Sequence, residues 1–462
     1  MSNSSMALDV PYTRHFYPEL TPAWLDHAAV LSGIKPPERA NGFTWCDLGC
    51  GQGVTAALLA ANHPTGRFVG LDLMAAHIDH AQGLAAALGI GNVAFHRADF
   101  ANPPPLPDFD YIVAHGVYTW IDGPAQDAFR ALIDRHLKPG GLVYLSYNAM
   151  PGCGVDVPFQ ALITALGQDL PGNSADRFVV AADMVRRLAA AGAPTLGGTS
   201  IAGALNELLA RKSPGYLAHE YMVAGWRPLF VTEVRAALAP LGLIPAGSAI
   251  LSDFIDGLVL PAAARQTLSA INDPNQRELA RDFVLNRRFR RDVFSRGGPR
   301  LDAAERAGRL AKTRYALVLP EDRLRAALRI PVGLGSFETP GTGAVVTALS
   351  RRPQRLSALS GIAAALGAAP GDGAMLDAVV ALCAAGAVRP VEPDPVAIDR
   401  FTAVVRDRID GPDELQVLAS SWGTGLAIDA ATLRSLAAGS GVAAGSPAWQ
   451  QLLRSHGLPF GL

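Results

Sequence analysis

The sequence predicts an α/β protein whose parallel sheet is covered by helices on both faces. Three observations predict it. Short strand-like runs alternate with helix-length runs from Phe43 to Tyr147, the arrangement that buries a parallel sheet. The first run passes directly into a glycine-rich turn, Asp47-Leu48-Gly49-Cys50-Gly51-Gln52-Gly53. Hydrophobic residues make up 49% of the 462-residue chain and charged residues 18%, enough apolar material for well-filled cores and too little charge for extensive disorder.

The elements follow in order. In the first forty residues Tyr12, Phe16, Tyr17 and Trp24 are interrupted by Pro11, Pro18 and Pro22, and Trp24 to Leu31 has a helical pattern. Phe43 to Cys46 is a strand, Val54 to Ala61 a helix stopped before Pro64, Arg67 to Leu73 a strand and Ala75 to Leu88 a helix. Val93 to Arg97 and Asp110 to Ala114 are strands, Pro124 to Leu137 a helix and Leu142 to Tyr147 a further strand. Pro151 to about Gly225 is helical and broken by Gly, Pro and Ser, as an insertion would be. After a helix at Val231 to Leu238, the runs Leu243 to Leu251 and Gly257 to Leu260 are expected to pair as an antiparallel hairpin, the last two strands of the sheet. Asn275 to Ser295 is expected as a charged helix or helix pair. Beyond the linker Gly297-Gly298-Pro299, an Ala/Gly/Pro-rich region runs to Leu462. Within it Leu356 to Leu366, Ala374 to Ala385 and Val388 to Val391 pattern as two helices and a strand, a winged-helix-like unit.

A chain of this length exceeds one ordinary core. The expected divisions are an N-terminal lid or helical segment (1–40), a ligand-binding core (41–150), the insertion (151–225), the last core strands (226–262), a helical segment (263–298) and a C-terminal domain (299–462). The formal net charge of −1 supplies no overall attraction for a polyanion, so no nucleic-acid partner is expected. No basic segment followed by an apolar run opens the chain, and no apolar stretch reaches the length of a spanning helix. The four cysteines, Cys46, Cys50, Cys153 and Cys383, lack paired metal-type spacing. A reduced, cytoplasmic protein is the expectation.

The glycine turn carries the chemistry. A strand feeding Gly49-x-Gly51-x-Gly53 and then a helix brings free amides close to a ligand, and glycine removes the β-carbon that would block approach. A tight strand–helix turn with no ligand has the same appearance. Asp72, about twenty residues further on, ends the next strand where a carboxylate accepts from ribose hydroxyls; Leu73 follows it. The same acid suits NAD. However, the glycine spacing departs from Gly-x-Gly-x-x-Gly, and Asp47 would repel a pyrophosphate while it can face the ammonium of a methionine moiety. Asp99-Phe100 ends a third strand, where the acid can meet an adenine amino group and the ring can lie against the base; a simple turn cap is the other reading of Asp99. Together these features favour S-adenosylmethionine, with Cys50 serving as a small turn residue without a redox role.

Phe43-Thr44-Trp45-Cys46-Asp47-Leu48-Gly49-Cys50-Gly51-Gln52-Gly53, Val69-Gly70-Leu71-Asp72 and Ala98-Asp99-Phe100 resemble the signatures of class I methyltransferases over roughly the first 260 residues. The resemblance implies a Rossmann-like, doubly wound seven-stranded sheet whose final strand is antiparallel. It also implies backbone contact from Gly49, Gly51 and Gly53, with ribose on Asp72 and adenine on Asp99. Pro11-Tyr12-Thr13, Ser146-Tyr147-Asn148-Ala149-Met150-Pro151-Gly152 and Asn286-Arg287-Arg288-Phe289-Arg290 resemble, more narrowly, bacterial methyltransferases with a regulatory domain, the group of the rickettsial protein-lysine methyltransferases. Where those relatives carry an aromatic after Pro-Gly, this chain has Cys153.

Candidate reaction residues fall at the carboxyl edge of the sheet, in His115-Gly116-Val117-Tyr118-Thr119-Trp120 and at Tyr147-Asn148. His115 is a candidate base and cofactor contact, or a hydrogen-bonded structural histidine. Tyr118 and Trp120 either wall the methyl position or pack on the following helix. Asn148 either orients an acceptor amine through its carbonyl oxygen or caps the turn into Pro151. Tyr147 is a candidate substrate contact at the same edge, and Tyr12 and Tyr17 are candidate lid residues. His77 and His80, three apart without a third ligand, suggest a solvated helix face and no metal site. The run Arg287, Arg288, Arg290, Arg291 and Arg296 fits a solvent-facing helix paired to Glu278 and Asp282. Three functions follow: methyl transfer to protein lysine, methyl transfer to a small molecule, or cofactor binding without turnover, the last suggested only by the Leu356 to Val391 stretch.

Overall fold

The strands that precede the insertion form where expected, as β1 (Phe43–Leu48), β2 (Gly66–Asp72), β3 (Val93–Arg97), β4 (Phe109–Ala114) and β5 (Leu137–Asn148). Helices α1 (Pro22–Leu31), α2 (Val54–Asn62), α3 (Ala75–Leu88) and α4 (Gly123–His136) flank them. The computed structural model describes residues 9–319 except 11, 13, 198–204, 206–207 and 211, together with 340–365, 372–392, 417–420 and 424–427. Two later strands, β6 (Leu243–Ser248) and β7 (Phe289–Arg296), complete a seven-stranded sheet of order β3-β2-β1-β4-β5-β7-β6. The first five strands are parallel, and β7 runs antiparallel to both of its neighbours.

Alternation along each strand sorts its side chains to opposite faces. Phe43 and Trp45 join the layer built with α1 and α2, whereas Cys46 and Leu48 join Phe129, Leu132 and Ile133 of α4. Register then assembles the site. Leu48 pairs with Leu71, which sets Asp72 beside the start of the glycine turn. Ala114 pairs with Leu145, so His115 leaves β4 beside Ser146.

The last strands correct two expectations. Gly257–Leu260 is not a strand, because Asp256–Val259 is a short helix, and β6 pairs instead with β7. The charged helix expected over Asn275 to Ser295 stops at Leu285, where Asn286 takes the left-handed conformation (φ 45°) and turns the chain into β7. The physical reason is internal pairing. Arg290 is buried on the strand, and its guanidinium donates to Glu278 at 2.7 Å, Asp282 at 2.6 Å and Asp292 at 2.9 Å. The ion pairs with Glu278 and Asp282 therefore exist, within a buried strand contact and not on a solvated helix. It follows that the boundary at 262–263 cuts through the sheet.

Between β5 and the helix Val231–Leu238, the insertion contains α5 (Val157–Gly167), α6 (Ser174–Ala190) and the helix Pro214–Tyr221 around its own core of Phe159, Ile163, Phe178, Val185 and Leu217. Beyond the sheet, β8 (Arg314–Leu317), β9 (Gln354–Arg355) and β10 (Val388–Val391) form an antiparallel sheet of order β10-β8-β9 with the helices Pro340–Leu349, Leu356–Ala365 and Asp372–Ala384. The helices and strand expected across 356–391 are thus present, joined by β8 from before the first helix. Leu366 and most of the Ala/Gly/Pro-rich region after 392 lie outside the described residues. Among the described residues no helix is long and apolar enough to cross a membrane, and the four cysteines are free thiols.

Candidate functional site

The glycine turn has the backbone its sequence requires. Gly49, Gly51 and Gly53 all have positive φ, at 84°, 52° and 74°. A β-carbon at Gly49 would overlap Val117 and one at Gly53 would overlap Ala81 and Phe95, while one at Gly51 would meet only open space. Gly51 is therefore the turn position whose bare backbone faces the cavity. Its N–H donates to Asp72 Oδ2 at 2.9 Å, and Met74 N–H donates to Oδ1 at 2.9 Å. His77 Nδ1 also lies 3.1 Å from Oδ1. A carboxylate has about four acceptor positions, so Asp72 retains capacity toward the cavity.

His77 departs from the solvated face expected of it. It is buried, and its Nε2 accepts from the backbone N–H of Tyr12 at 3.0 Å. With Nε2 accepting, the proton sits on Nδ1 and is donated to Asp72. The N-terminal segment is thereby tied across the turn. Gln52 Nε2 donates to Tyr12 O, Arg14 Nε donates to Gln52 Oε1 at 2.8 Å, and Tyr17 N–H donates to Thr55 Oγ1 at 3.2 Å. His80 lies with Nδ1 2.9 Å from Gln52 O, and no metal-binding cluster occurs among the described residues.

Under this strap lies a cavity of about 570 Å³. One end is lined by Ala98, Asp99, Phe100, Ile121 and Ala125, and the middle by Gly49, Gly51, Asp72, Leu73 and His77. Asp99 also caps its turn, accepting from Ala101 N–H at 3.0 Å, which is the turn-cap reading of it. Phe100 is held edge-on to Phe129 at 5.5 Å. Behind the turn, a smaller recess is lined by Asp47, Cys50, Gly53 and Tyr17. Asp47 is 5% exposed, and no cation among the described residues pairs with its carboxyl. Burial, and then the nearby Asp72, push its carboxyl up to about 8. Such a group is stabilised by a cation brought into the recess. Burial likewise holds the Cys50 thiol protonated, which suits a turn residue without redox chemistry.

The sheet edge separates the remaining candidates. His115 lines the cavity, stacks on Tyr17 at 3.9 Å between ring centroids and places Nδ1 2.9 Å from Tyr144 Oη. Burial pushes its pKa down to about 4, so it is neutral at pH 7. Trp120 lines the cavity with its ring 5.7 Å from that of Trp226. Tyr118 does not line it. That ring packs on Phe129, and its hydroxyl accepts from Arg130 at 2.7 Å. Tyr147 is also outside, because strand alternation turns it to the opposite face, where its hydroxyl donates to Asp292 at 2.7 Å. Asn148 lines the cavity, yet its Oδ1 already accepts from Thr119 Oγ1 at 3.1 Å and Trp226 Nε1 at 3.1 Å. Indole N–H only donates, which fixes the amide orientation and fills both lone pairs of the oxygen intended for an acceptor amine.

Sequence reading missed the opposite wall. Lys212, Tyr216, His219, Glu220 and Val223 of the insertion line the cavity, as does Phe289 at the start of β7. Tyr216, His219 and Glu220 stand three and four apart, a spacing that gives one polar-aromatic helix face and was the available signal.

Two family descriptions match the chain: "Methyltransferase domain" over residues 46–141 and "Predicted methyltransferase regulatory domain" over residues 213–296. An uncharacterized protein of Synechocystis sp. is 33% identical over 92% of this chain and 86% of its own length. An uncharacterized protein of Rickettsia prowazekii is 29% identical over 61% of this chain and 51% of its own. In fold, the chain is similar to PKMT2 from Rickettsia typhi in complex with AdoHcy, with a TM-score of 0.70 at 20% identity over 93% of this chain and 88% of that one. A glycine turn and an edge acid on a 3-2-1-4-5-7-6 sheet, followed by a segment matching the regulatory description, place the chain among the S-adenosylmethionine-dependent class I methyltransferases that carry a methyltransferase regulatory domain.

Proposed function

We propose that the chain transfers methyl groups to lysine side chains of a protein. The observation that carries this reading is the acceptor wall of the cavity, which Tyr12, Tyr17, Tyr216, Trp120 and Phe289 line together with the carboxylate Glu220. In this reading the bare backbone of Gly51 and its neighbours lets the cofactor approach the turn closely, Asp72 takes the ribose, Asp99 and Phe100 the adenine, and Asp47 the amino-acid ammonium. Asp47 without a paired cation and the bare Gly51 fit that group. Bound there, S-adenosylmethionine supplies a methyl group activated on a positive sulfur. The protein's part is alignment and exclusion of water. Neutral His115, clamped between Tyr17 and Tyr144, adds no positive charge beside the sulfur.

An amine acceptor must first lose a proton. For lysine with a reference pKa near 10.4, reaching the neutral form at pH 7 costs about 4 to 5 kcal/mol. Burial away from water reduces this cost by disfavouring the ammonium. A metabolite acceptor is the second reading, favoured by the N-terminal strap, in which Tyr12 and residues 15–17 line the cavity. To separate the two, purified protein is incubated with radiolabelled cofactor and a lysate of the source organism. Label in discrete protein bands, recovered as methyl-lysine after acid hydrolysis, is expected. Label confined to the small-molecule fraction sinks the lysine reading.

A further inference from the structure

Glu220 is the cavity's carboxylate outside the cofactor half, and its surroundings are organised around it. It ends the helix Pro214–Tyr221, which Pro214 and the Ser213 cap (accepting from Tyr216 N–H) start cleanly. Tyr216 and Tyr12 line the cavity together with it, and their rings lie 5.7 Å apart. Tyr12 also meets His219 edge-on at 5.2 Å. The corner is therefore assembled from two separate segments, the N-terminal strap and the insertion helix. A half-buried carboxylate framed by electron-rich rings is the environment that binds an alkylammonium. The chain's own Lys212 illustrates the preference, with Nζ 4.7 Å over the Tyr216 ring.

We propose that Glu220, framed by Tyr12 and Tyr216, receives the ammonium of the methyl acceptor and takes its proton. This rests on the amine reading above and names the group that acts in it. The N–H bond of the acceptor breaks and its proton moves to a Glu220 oxygen, leaving a neutral amine and a neutral carboxylic acid. The amine lone pair then forms the new N–C bond as the methyl–sulfur bond breaks, and that bonding pair stays on sulfur. The product leaves as a methylated ammonium, and Glu220 returns its proton to solvent. Burial brings the two partners closer in proton affinity, since it pushes the Glu220 carboxyl up to about 7 and disfavours the acceptor's ammonium. The other titratable groups facing it are Lys212, Tyr216, His219 and Tyr221 from the insertion and Tyr12 and Tyr17 from the strap.

Glu220→Gln tests this, because it keeps the shape of the side chain while removing the charge. The full chain is assayed with radiolabelled cofactor on the source organism's lysate, counting methyl-lysine after hydrolysis, and S-adenosylhomocysteine affinity is measured by calorimetry. The variant is expected to form methyl-lysine at least tenfold more slowly, with cofactor affinity within twofold of wild type and partial recovery in Glu220→Asp. The wild-type rate should level off above about pH 7, whereas that of Glu220→Gln should keep rising toward the acceptor's own pKa. Full methyl-lysine activity in Glu220→Gln overturns the role of Glu220 and leaves the amine reading standing. A tenfold loss of cofactor affinity in the variant also overturns it, by assigning the residue to the cofactor. Base-labile methyl esters as the wild-type product overturn both.

Discussion

At the residue scale, Gly51 and Asp47 make the site's most direct predictions. A β-carbon at Gly51 meets no protein atom within 4 Å and Gly51 lines the cavity, so Gly51→Arg sends its side chain toward the ligand space with little clash at the backbone. The positive φ adds strain of about 1 to 2 kcal/mol. Calorimetry with S-adenosylhomocysteine should show at least a hundredfold loss of affinity in a folded protein; retained affinity means the turn is misassigned. Asp47 predicts a pH dependence whose sign follows from its raised carboxyl. A ligand ammonium needs the ionised form, so affinity should climb with pH and level off above about pH 8. Asp47→Asn should bind more weakly with that climb removed, the ligand's own titration being common to both. The same shift penalises the unliganded fold increasingly as pH rises from about 4 to about 8, because the native state holds the proton that the unfolded chain has lost. Hence unliganded Asp47→Asn should melt above wild type at pH 8, with a smaller gap at pH 5. The turn and its acids were legible because glycine at positive φ and strand-end carboxylates are local requirements. Tyr118 and Tyr147 were misjudged because the direction of a side chain at the sheet edge depends on packing partners distant in sequence.

At the element scale, β7 shows why a strand can escape its sequence. The run Phe289-Arg290-Arg291-Asp292-Val293-Phe294 is as charged as a surface helix, and only pairing with Asp282 and Glu278 of the preceding helix lets it enter the sheet. Conversely, Gly257 to Leu260 is a short apolar run, for which periodicity does not separate strand from helix. The insertion helix Pro214–Tyr221 was legible as a helix, but nothing local said that it would face the sheet edge. For Arg290→Ala, the loss leaves Asp282, Asp292 and Glu278 without their shared cation, at a cost of about 3 to 5 kcal/mol. Asp282 is held up to about 6 by burial even with Arg290 present. Without it the native state holds protons that the unfolded chain releases, so the deficit in denaturant melts should be smaller at pH 5 than at pH 8. A deficit independent of pH would mean that lost packing, and not stranded charge, explains the damage.

At the scale of the whole molecule, the C-terminal unit is fastened to the end of the sheet opposite the cavity. Arg39 Nη1 meets both oxygens of Glu392 at 3.0 Å, its Nε meets Asp26 at 3.0 Å, and Tyr111 donates to the other Asp26 oxygen at 2.7 Å. The guanidinium lies 5.7 Å from the ring of Phe43, the first residue of β1, whereas the glycine turn follows its last. A six-residue strand separates the two by about 20 Å. Neither Asp26 nor Glu392 carries a sequence motif, and their partnership spans the chain, so this fastening was invisible in the sequence. Arg39→Ala strands buried Glu392 and half-buried Asp26 and should cost about 3 kcal/mol of stability. Arg39→Lys keeps the charge but loses the planar, multi-donor geometry, and should recover only part of that. Because the strand between is rigid and buried, S-adenosylhomocysteine affinity at a temperature where the variant is folded should stay within twofold of wild type. A fall in affinity matching the fall in stability would show instead that the C-terminal unit and the cofactor turn are one cooperative body, with the ion pair acting on the site through β1.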